Sequence, residues 1–178
     1  MLQISNFFLL EQQIFTFEYF TNQRMNITIR KGNINDCQAA FELIKELALY
    51  EKAPEEVTNT AEQMKTDGFG ANPLFEFYVA ETEHKIIGIA LFYIRYSTWK
   101  GPCLYLEDIV VKEQFRGNKV GKKLFDKVLE HAKNKNFAFL NWQVLDWNEP
   151  AFNFYKKYPA TFDDTWVNGK IDVREIKL

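Results

Sequence analysis

Two adjacent carboxylates lie inside an apolar run, Leu104-Tyr105-Leu106-Glu107-Asp108-Ile109-Val110-Val111. The run reads as a central strand covered on both faces. Side chains alternate along a strand, so Glu107 and Asp108 are expected on opposite faces, with at least one partly buried. An unpaired buried charge is costly, so that carboxylate must be paired or must hold its proton to higher pH. From the strand alone, a structural ion pair and a proton-transfer role weigh about evenly.

A second pattern follows at once: Gln114-Phe115-Arg116-Gly117-Asn118-Lys119-Val120-Gly121-Lys122-Lys123. A strand runs into a turn with Gly and Asn, and the turn opens a helix. Helix-start N–H groups, the helix dipole and the cations Arg116, Lys119, Lys122 and Lys123 suit a phosphate or pyrophosphate. The glycine spacing is neither that of the Walker loop nor that of the dinucleotide fingerprint, and a solvated basic helix start would look the same. The third pattern is Trp147-Asn148-Glu149-Pro150-Ala151-Phe152-Asn153-Phe154-Tyr155. Asn148 can cap a helix and Pro150 fits its first turn. Ala151, Phe154, Tyr155 and Tyr158 share one face, and on periodicity alone Tyr155 is a core-edge tyrosine.

These residues belong to a chain of 178, the size of one ordinary domain with room for an appendage. Apolar residues make up 47% and charged residues 26%, enough to bury a core. Lys plus Arg is 22 against 24 for Asp plus Glu, a balance that argues against a general nucleic-acid binder. The 17 Phe, 8 Tyr and 4 Trp suit a core or a flat-walled cleft. Cys37 and Cys103 make no disulfide framework and lack ligand spacing, and with only His84 and His131 beside them no metal site is expected.

The elements that must position the three patterns alternate between strand and helix. Asn26–Arg30 reads as a short strand. A helix follows the polar cluster Asn33–Asp36, with Ala40, Leu43, Ile44, Leu47 and Ala48 as its apolar stripe. Residues 51–60 read as a loop, and Ala61–Asp67 as a short helix ended by Gly68 and Gly70. Phe75–Glu81 and Ile86–Tyr96 form a hairpin. Lys119–Lys133 is a helix with Leu124, Phe125, Val128, Leu129 and Ala132 on one side. Phe137–Val144 is a strand, Asn148–Tyr158 a helix stopped by Pro159, and two closing strands fall near Thr161–Val167 and Lys170–Ile176. One mixed sheet with helices on both faces is the economical architecture.

Residues 1–24 read differently from the domain of residues 25–178. They hold many phenylalanines and only three charges, Glu11, Glu18 and Arg24. There is no basic start, no long apolar run and no small-residue cleavage site, so the segment is expected to be neither a signal peptide nor a membrane span. It is either a leader without function or an apolar strap that packs on the domain or on a second subunit.

Taken in order, the motifs resemble the GNAT superfamily of acetyl-CoA-dependent N-acetyltransferases. The loop after the carboxylates resembles its pyrophosphate motif, and Asn148-x-x-Ala151-x-x-x-Tyr155 resembles its later helix motif. More narrowly, Arg30, the stretch Leu43–Glu51, Asp67-Gly68-Phe69-Gly70, Tyr105–Asp108, Arg116-Gly117 and Trp147–Pro150 resemble spermidine/spermine and thialysine N-acetyltransferases, across about residues 26–172. The departures are Lys119 where the motif has its middle glycine, Ser97 where the polyamine enzymes have an acid, Pro159 after the Tyr155 helix, and a shorter tail.

The resemblance implies a mixed, mostly antiparallel α/β sheet with a V-shaped splay between its central strands, Leu104–Val111 and Phe137–Val144. It implies acetyl-CoA as co-substrate and no metal. Backbone of Ile109, Val110 and Val111 would line the pantetheine arm. N–H groups of Arg116, Gly117, Asn118, Lys119, Val120, Gly121 and Lys122 would hold the pyrophosphate, and Asn148 would meet the amide region. Tyr155 would stand near the sulfur as general acid, and Glu107 would take the amine's proton through water. Tyr50, Glu51, Trp99, Glu107, Asp108 and Trp166 match amine-side positions. At neutral pH only about one alkyl ammonium in a thousand has lost its proton, so such a site must attract the cation and then deprotonate it. Direct transfer to a small primary amine in a ternary complex is expected, by a cytoplasmic homodimer without nucleic-acid or membrane partners. The alternatives are acetylation of a protein or peptide amine, and a non-catalytic acyl-CoA-binding module.

Overall fold

Among the described residues five strands lie side by side in chain order: β1 (Thr28–Lys31), β2 (Glu76–Thr82), β3 (Lys85–Ser97), β4 (Gly101–Val111) and β5 (Leu140–Asn141). Strands β1 to β4 are antiparallel neighbours, and β5 joins β4 in parallel. The computed structural model describes residues 25–176. The extension expected at residues 1–24 lies outside the described residues. The chain divides into two compact units, one ending at Trp142 and holding the sheet, the other starting at Gln143.

In the first unit the connections are helices: α1 (Cys37–Tyr50), α2 (Ala61–Phe69) and α3 (Val120–Asn134). Entry to α1 is fixed by a capping box on the 3-10 turn Ile34–Asp36. The Asn33 side chain accepts from the Asn35 N–H, and Asp36 accepts from the Asn33 N–H at 2.8 Å. Asp36 also accepts from both Nη groups of Arg30, at 2.7 and 2.9 Å, while Arg30 Nε donates to Glu81 at 2.7 Å. Those bonds tie β1, β2 and the start of α1 together. Thr60 caps α2 by accepting from the Gln63 N–H.

Strand alternation sends each face of the sheet to a different helix. Phe77, Val79, Ile89, Leu91 and Val110 pack with Cys37, Ala40 and Leu43 of α1 and Met64 of α2. On the other face, the Tyr78 hydroxyl lies 3.1 Å from His131 Nδ1 of α3, and the Phe92 ring lies 5.0 Å from the same imidazole. Val120, Leu124, Phe125, Val128 and Ala132 are the buried stripe of α3. Each large side chain of that stripe is worth roughly 1.5–3 kcal/mol when fully buried. Helices therefore cover both faces of a mixed, mostly antiparallel sheet, as expected.

Three elements differ from expectation. The strand expected over 137–144 is only Leu140–Asn141, paired with β4 at Leu104 and Tyr105 alone. From Leu106 onward that edge of β4 has no neighbouring strand among the described residues, and this opening is the splay. In the second unit, α4 (Glu149–Tyr155) forms, but the strands expected near Thr161–Val167 and Lys170–Ile176 do not. Asp163 accepts from the Thr165 N–H at 2.9 Å, and Asp172 from the Arg174 N–H at 3.0 Å. Short acidic side chains thus take local donors that a ladder would need. Val167, Ile171 and Val173 are exposed, so the alternation there buries nothing.

Candidate active site

Pairing in the β3–β4 ladder decides where the two strand carboxylates point. Tyr105 lies opposite Tyr93, Leu106 opposite Phe92, and Asp108 opposite Leu91. Glu107 is therefore an extra residue with no cross-strand counterpart, a β-bulge. The bulge switches faces: Leu106 shares the α3 face with Phe92, whereas Asp108 shares the α1 face with Leu91 and Val110. The Glu107 carboxylate lies close enough to the Tyr93 phenol for its charge to add to burial in raising the phenol's pKa, and Tyr93 alternates with Leu91 onto the α1 face. Both carboxylates thus serve one face. This corrects the expectation of opposite faces, because strict alternation holds only along an unbroken ladder.

Helix α1 ends at Tyr50, and Glu51 caps its C-terminus. Burial raises the pKa of Glu51. Asp108 is pushed up to about 7, first by burial, then by the charge of Glu107, then by that of Glu51. Asp108 is therefore a carboxylate that holds its proton to near neutrality. The rings of Tyr93 and Tyr105 lie 5.3 Å apart, and the Arg95 guanidinium sits 5.8 Å over Tyr105. Burial, followed by the charge of Glu107, raises both phenols. An anionic wall beside aromatic faces attracts an organic cation. Among the described residues no group of His, Cys, Asp and Glu is arranged to hold a metal ion.

Beyond β4 the chain makes the 3-10 turn Glu113–Phe115 and then the glycine loop. Gly117 has φ +80°, and an added Cβ would meet nothing within 4 Å, so the need for glycine there is purely conformational. The Asn118 side-chain amide donates to the carbonyls of Phe115 and Arg116, both at 3.3 Å, which fixes the turn. Lys119 is the N-cap of α3 and is also left-handed, with φ 61°. An ammonium has no acceptor to offer, and no N-cap side-chain bond forms at this helix start. First-turn donors without a side-chain cap, the dipole of a long helix and a loop whose backbone can approach a ligand fit a pyrophosphate.

Arg116 Nε donates to the Val111 carbonyl at 3.1 Å, and the guanidinium lies 5.3 Å over the Tyr50 ring. Lys122 pairs with Asp126 at 2.6 Å. The Lys112 N–H donates to Ile87 at 2.9 Å, so Val110 also turns its polar backbone groups to β3. Ile109 and Val111 turn theirs to the open edge. Of the three residues expected along the pantetheine, these two can offer backbone bonds there, and the Val111 carbonyl already accepts from Arg116. Trp99 is 84% exposed in the hairpin turn. Trp99 is roughly 20 Å along β4 from Glu107, by strand rise. It does not join the carboxylates.

In the second unit, Asn148 Oδ1 accepts from the Ala151 N–H at 3.2 Å and caps α4, with Pro150 in the first turn. Tyr155 is buried, and burial pushes its phenol far above the ordinary tyrosine range. The Phe154 ring lies 5.0 Å from it. Trp166 is exposed. Tyr93 and Arg95 were not singled out by the sequence. Tyr93 lies opposite Tyr105 and Arg95 opposite Cys103, a placement that becomes visible only once the strand register is known.

The acetyltransferase (GNAT) family model matches residues 38–158. A thialysine N-epsilon-acetyltransferase from Bos taurus is 41% identical over 142 residues, covering 75% of this chain and 84% of the relative. A human spermidine/spermine N(1)-acetyltransferase-like protein 1 is 32% identical over 134 residues, covering 71% of this chain and 19% of that longer protein. Among solved structures, an aminoglycoside acetyltransferase from an uncultured soil metagenomic sample, in complex with trehalose, superposes with TM-score 0.69 at 20% identity, covering 83% of this chain and 96% of the other. An aminoglycoside N-acetyltransferase in complex with CoA superposes with TM-score 0.65 at 18% identity, covering 83% and 95%.

Proposed function

The chain belongs to the GNAT acetyltransferase family, and from that premise we propose that it moves the acetyl group of acetyl-CoA directly to a primary amine of a small diamine, polyamine or thialysine-like molecule. The observation that carries the small-amine reading is the carboxylate group of Glu51, Glu107 and Asp108 on one face of the first unit, with Tyr93 and Tyr105 beside it. Relatives that act on thialysine and, by name, resemble spermidine/spermine enzymes support the same class of acceptor.

Acetyl-CoA would supply an activated acyl carbon: the ammonium first loses one proton, the neutral nitrogen bonds to that carbon, the C–S bond breaks, a second proton leaves the nitrogen and one reaches the departing sulfur, so that one proton is released overall. The carboxylates draw in the ammonium form. Glu107, open to water, takes the nitrogen's proton through that water. Asp108, titrating near neutrality, adjusts the charge of the wall. Tyr155, held protonated by burial, donates to the sulfur. The loop from Arg116 to Lys122 holds the pyrophosphate, Ile109 and Val111 pair with the pantetheine arm, and Asn148 meets the amide region. Trp166 is the remaining amine-side position that the resemblance supplies.

Free Cys37 and Cys103 fit a reducing compartment, so we place the protein in the cytoplasm. The exposed Ile94, Tyr96 and Trp99 support a homodimer, which light scattering would test. Substrate choice is tested by competition. The protein is mixed with acetyl-CoA and equal amounts of thialysine, spermidine, spermine, putrescine, lysine and a short peptide, and mass spectrometry identifies what gains an acetyl group. A small amine is expected. Acetylated peptide alone would redirect the reading to protein substrates, and CoA binding without any product would reduce it to a binding module.

A further inference from the structure

We infer that Tyr50 is a positioning residue for the co-substrate: its ring holds the Arg116 guanidinium in place for the phosphates of acetyl-CoA. The inference rests on the reading of Arg116–Lys122 as the pyrophosphate loop. The resemblance grouped Tyr50 with the amine-side residues, yet its ring carries the Arg116 guanidinium at 5.3 Å.

Arg116 is exposed and begins a turn that contains two left-handed residues, Gly117 and Lys119. An unrestrained arginine there would lose its rotamer freedom on meeting an anion, and affinity would fall accordingly. Two contacts limit that loss. Nε is bonded to the Val111 carbonyl at 3.1 Å, and the guanidinium carbon sits 5.3 Å over the Tyr50 ring. The first fixes the direction of the side chain and the second holds its charged end over the ring. Because Nε is the bonded donor, the Nη groups remain the natural donors to phosphate oxygens. Tyr50 is the last residue of α1, anchored by the buried Ala40 and Leu43 of that helix. The next residue, Glu51, acts on Asp108. Consecutive residues at one helix end thus serve the two substrates separately.

The test is calorimetric titration of CoA into wild type, Tyr50→Leu, Tyr50→Phe, Arg116→Ala and the Tyr50→Leu/Arg116→Ala pair, with KM for the amine measured alongside. Tyr50→Leu should weaken CoA binding about fivefold, and Tyr50→Phe, which keeps the ring, by less than about twofold. Adding Tyr50→Leu to Arg116→Ala should cost nothing further, because the ring then has no guanidinium to hold. KM for the amine should move less than about twofold. Unchanged CoA affinity in Tyr50→Leu, a rise confined to amine KM, or additive losses in the paired variant would overturn the inference. A wild type that binds no CoA would overturn the acetyltransferase reading as well.

Discussion

Glu107 and Asp108, adjacent in the chain, present their carboxylates to the same face of the sheet, the one covered by α1. One inserted residue produces this, and it brings Asp108 within electrostatic reach of both Glu107 and Glu51 at the end of the helix. A strand without the bulge would divide the two charges between faces, and neither face would carry the full wall.

Binding of the amine should depend on pH through this wall. As pH falls through about 7, Asp108 gains its proton and one negative charge is lost. KM for a diamine should rise on the order of tenfold between about pH 8 and pH 5.5, while KM for acetyl-CoA changes little. Glu51→Gln removes one of the charges that hold the proton on Asp108, so the same rise should shift to lower pH. Steady-state kinetics at several pH values checks both; a flat amine KM would contradict the role of Asp108.

Stability should carry the opposite signature from an ordinary salt-bridged acid. The folded chain binds the Asp108 proton more tightly than the unfolded chain, whose ordinary value is 3.8 against about 7 when folded. Stability therefore falls as pH rises from about 4 to about 7, by this group's contribution. Asp108→Asn should stabilise the protein by about 2–4 kcal/mol at pH 8, and the gain should shrink toward zero near pH 4. Urea unfolding at the two pH values measures it. A destabilised variant at pH 8 would show that the carboxylate is satisfied as an ion.

The two left-handed positions of the glycine loop should respond with opposite signs. Lys119 at φ 61° has a side chain where glycine is favoured, and Gly117 at φ +80° has none. Lys119→Gly should stabilise by about 1 kcal/mol, and Gly117→Ala should destabilise by about 1 kcal/mol from strain alone, since its Cβ meets no neighbour. Thermal melts compare them directly. Lys119→Gly lowering the melting temperature would mean that the ammonium makes a contact worth more than the backbone strain.

The Arg30–Asp36 pair should govern acid stability. The hydrogen bonds from Arg30 hold Asp36 below the usual aspartate range, against the opposing effect of burial. A depressed folded value means stabilisation that is complete above about pH 4 and lost as pH falls through the lowered value. Asp36→Asn should cost about 2–3 kcal/mol at pH 7, discounted for the partly open Arg30, and the difference from wild type should be smaller at pH 2. Denaturant curves at both pH values measure it. An equal difference at both would remove Arg30 as its cause.

Much of the architecture was legible because burial follows period. The stripe Ala40–Leu43–Leu47 marked α1, and Leu124, Phe125 and Val128 marked α3. Both helices lie within a few residues of where they were expected. The motif residues on β4 and the glycine loop were legible by type and order. The bulge at Glu107 was not, since a single strand carries no record of its partner's register. Nor was the failure of the closing strands, where Asp163 and Asp172 compete locally for backbone donors. The contact between Tyr50 and Arg116, 66 positions apart in numbering, arises from packing alone.

The most direct measurement is thiol release from acetyl-CoA by the purified protein, with and without spermidine or thialysine, in wild type, Glu107→Gln and Tyr155→Phe. We expect free thiol only when an amine is present, and turnover lowered on the order of a hundredfold in each variant at neutral pH. Release that ignores the amine, no release with either acceptor, or wild-type rates in both variants would contradict direct transfer to an amine that Glu107 deprotonates and Tyr155 completes.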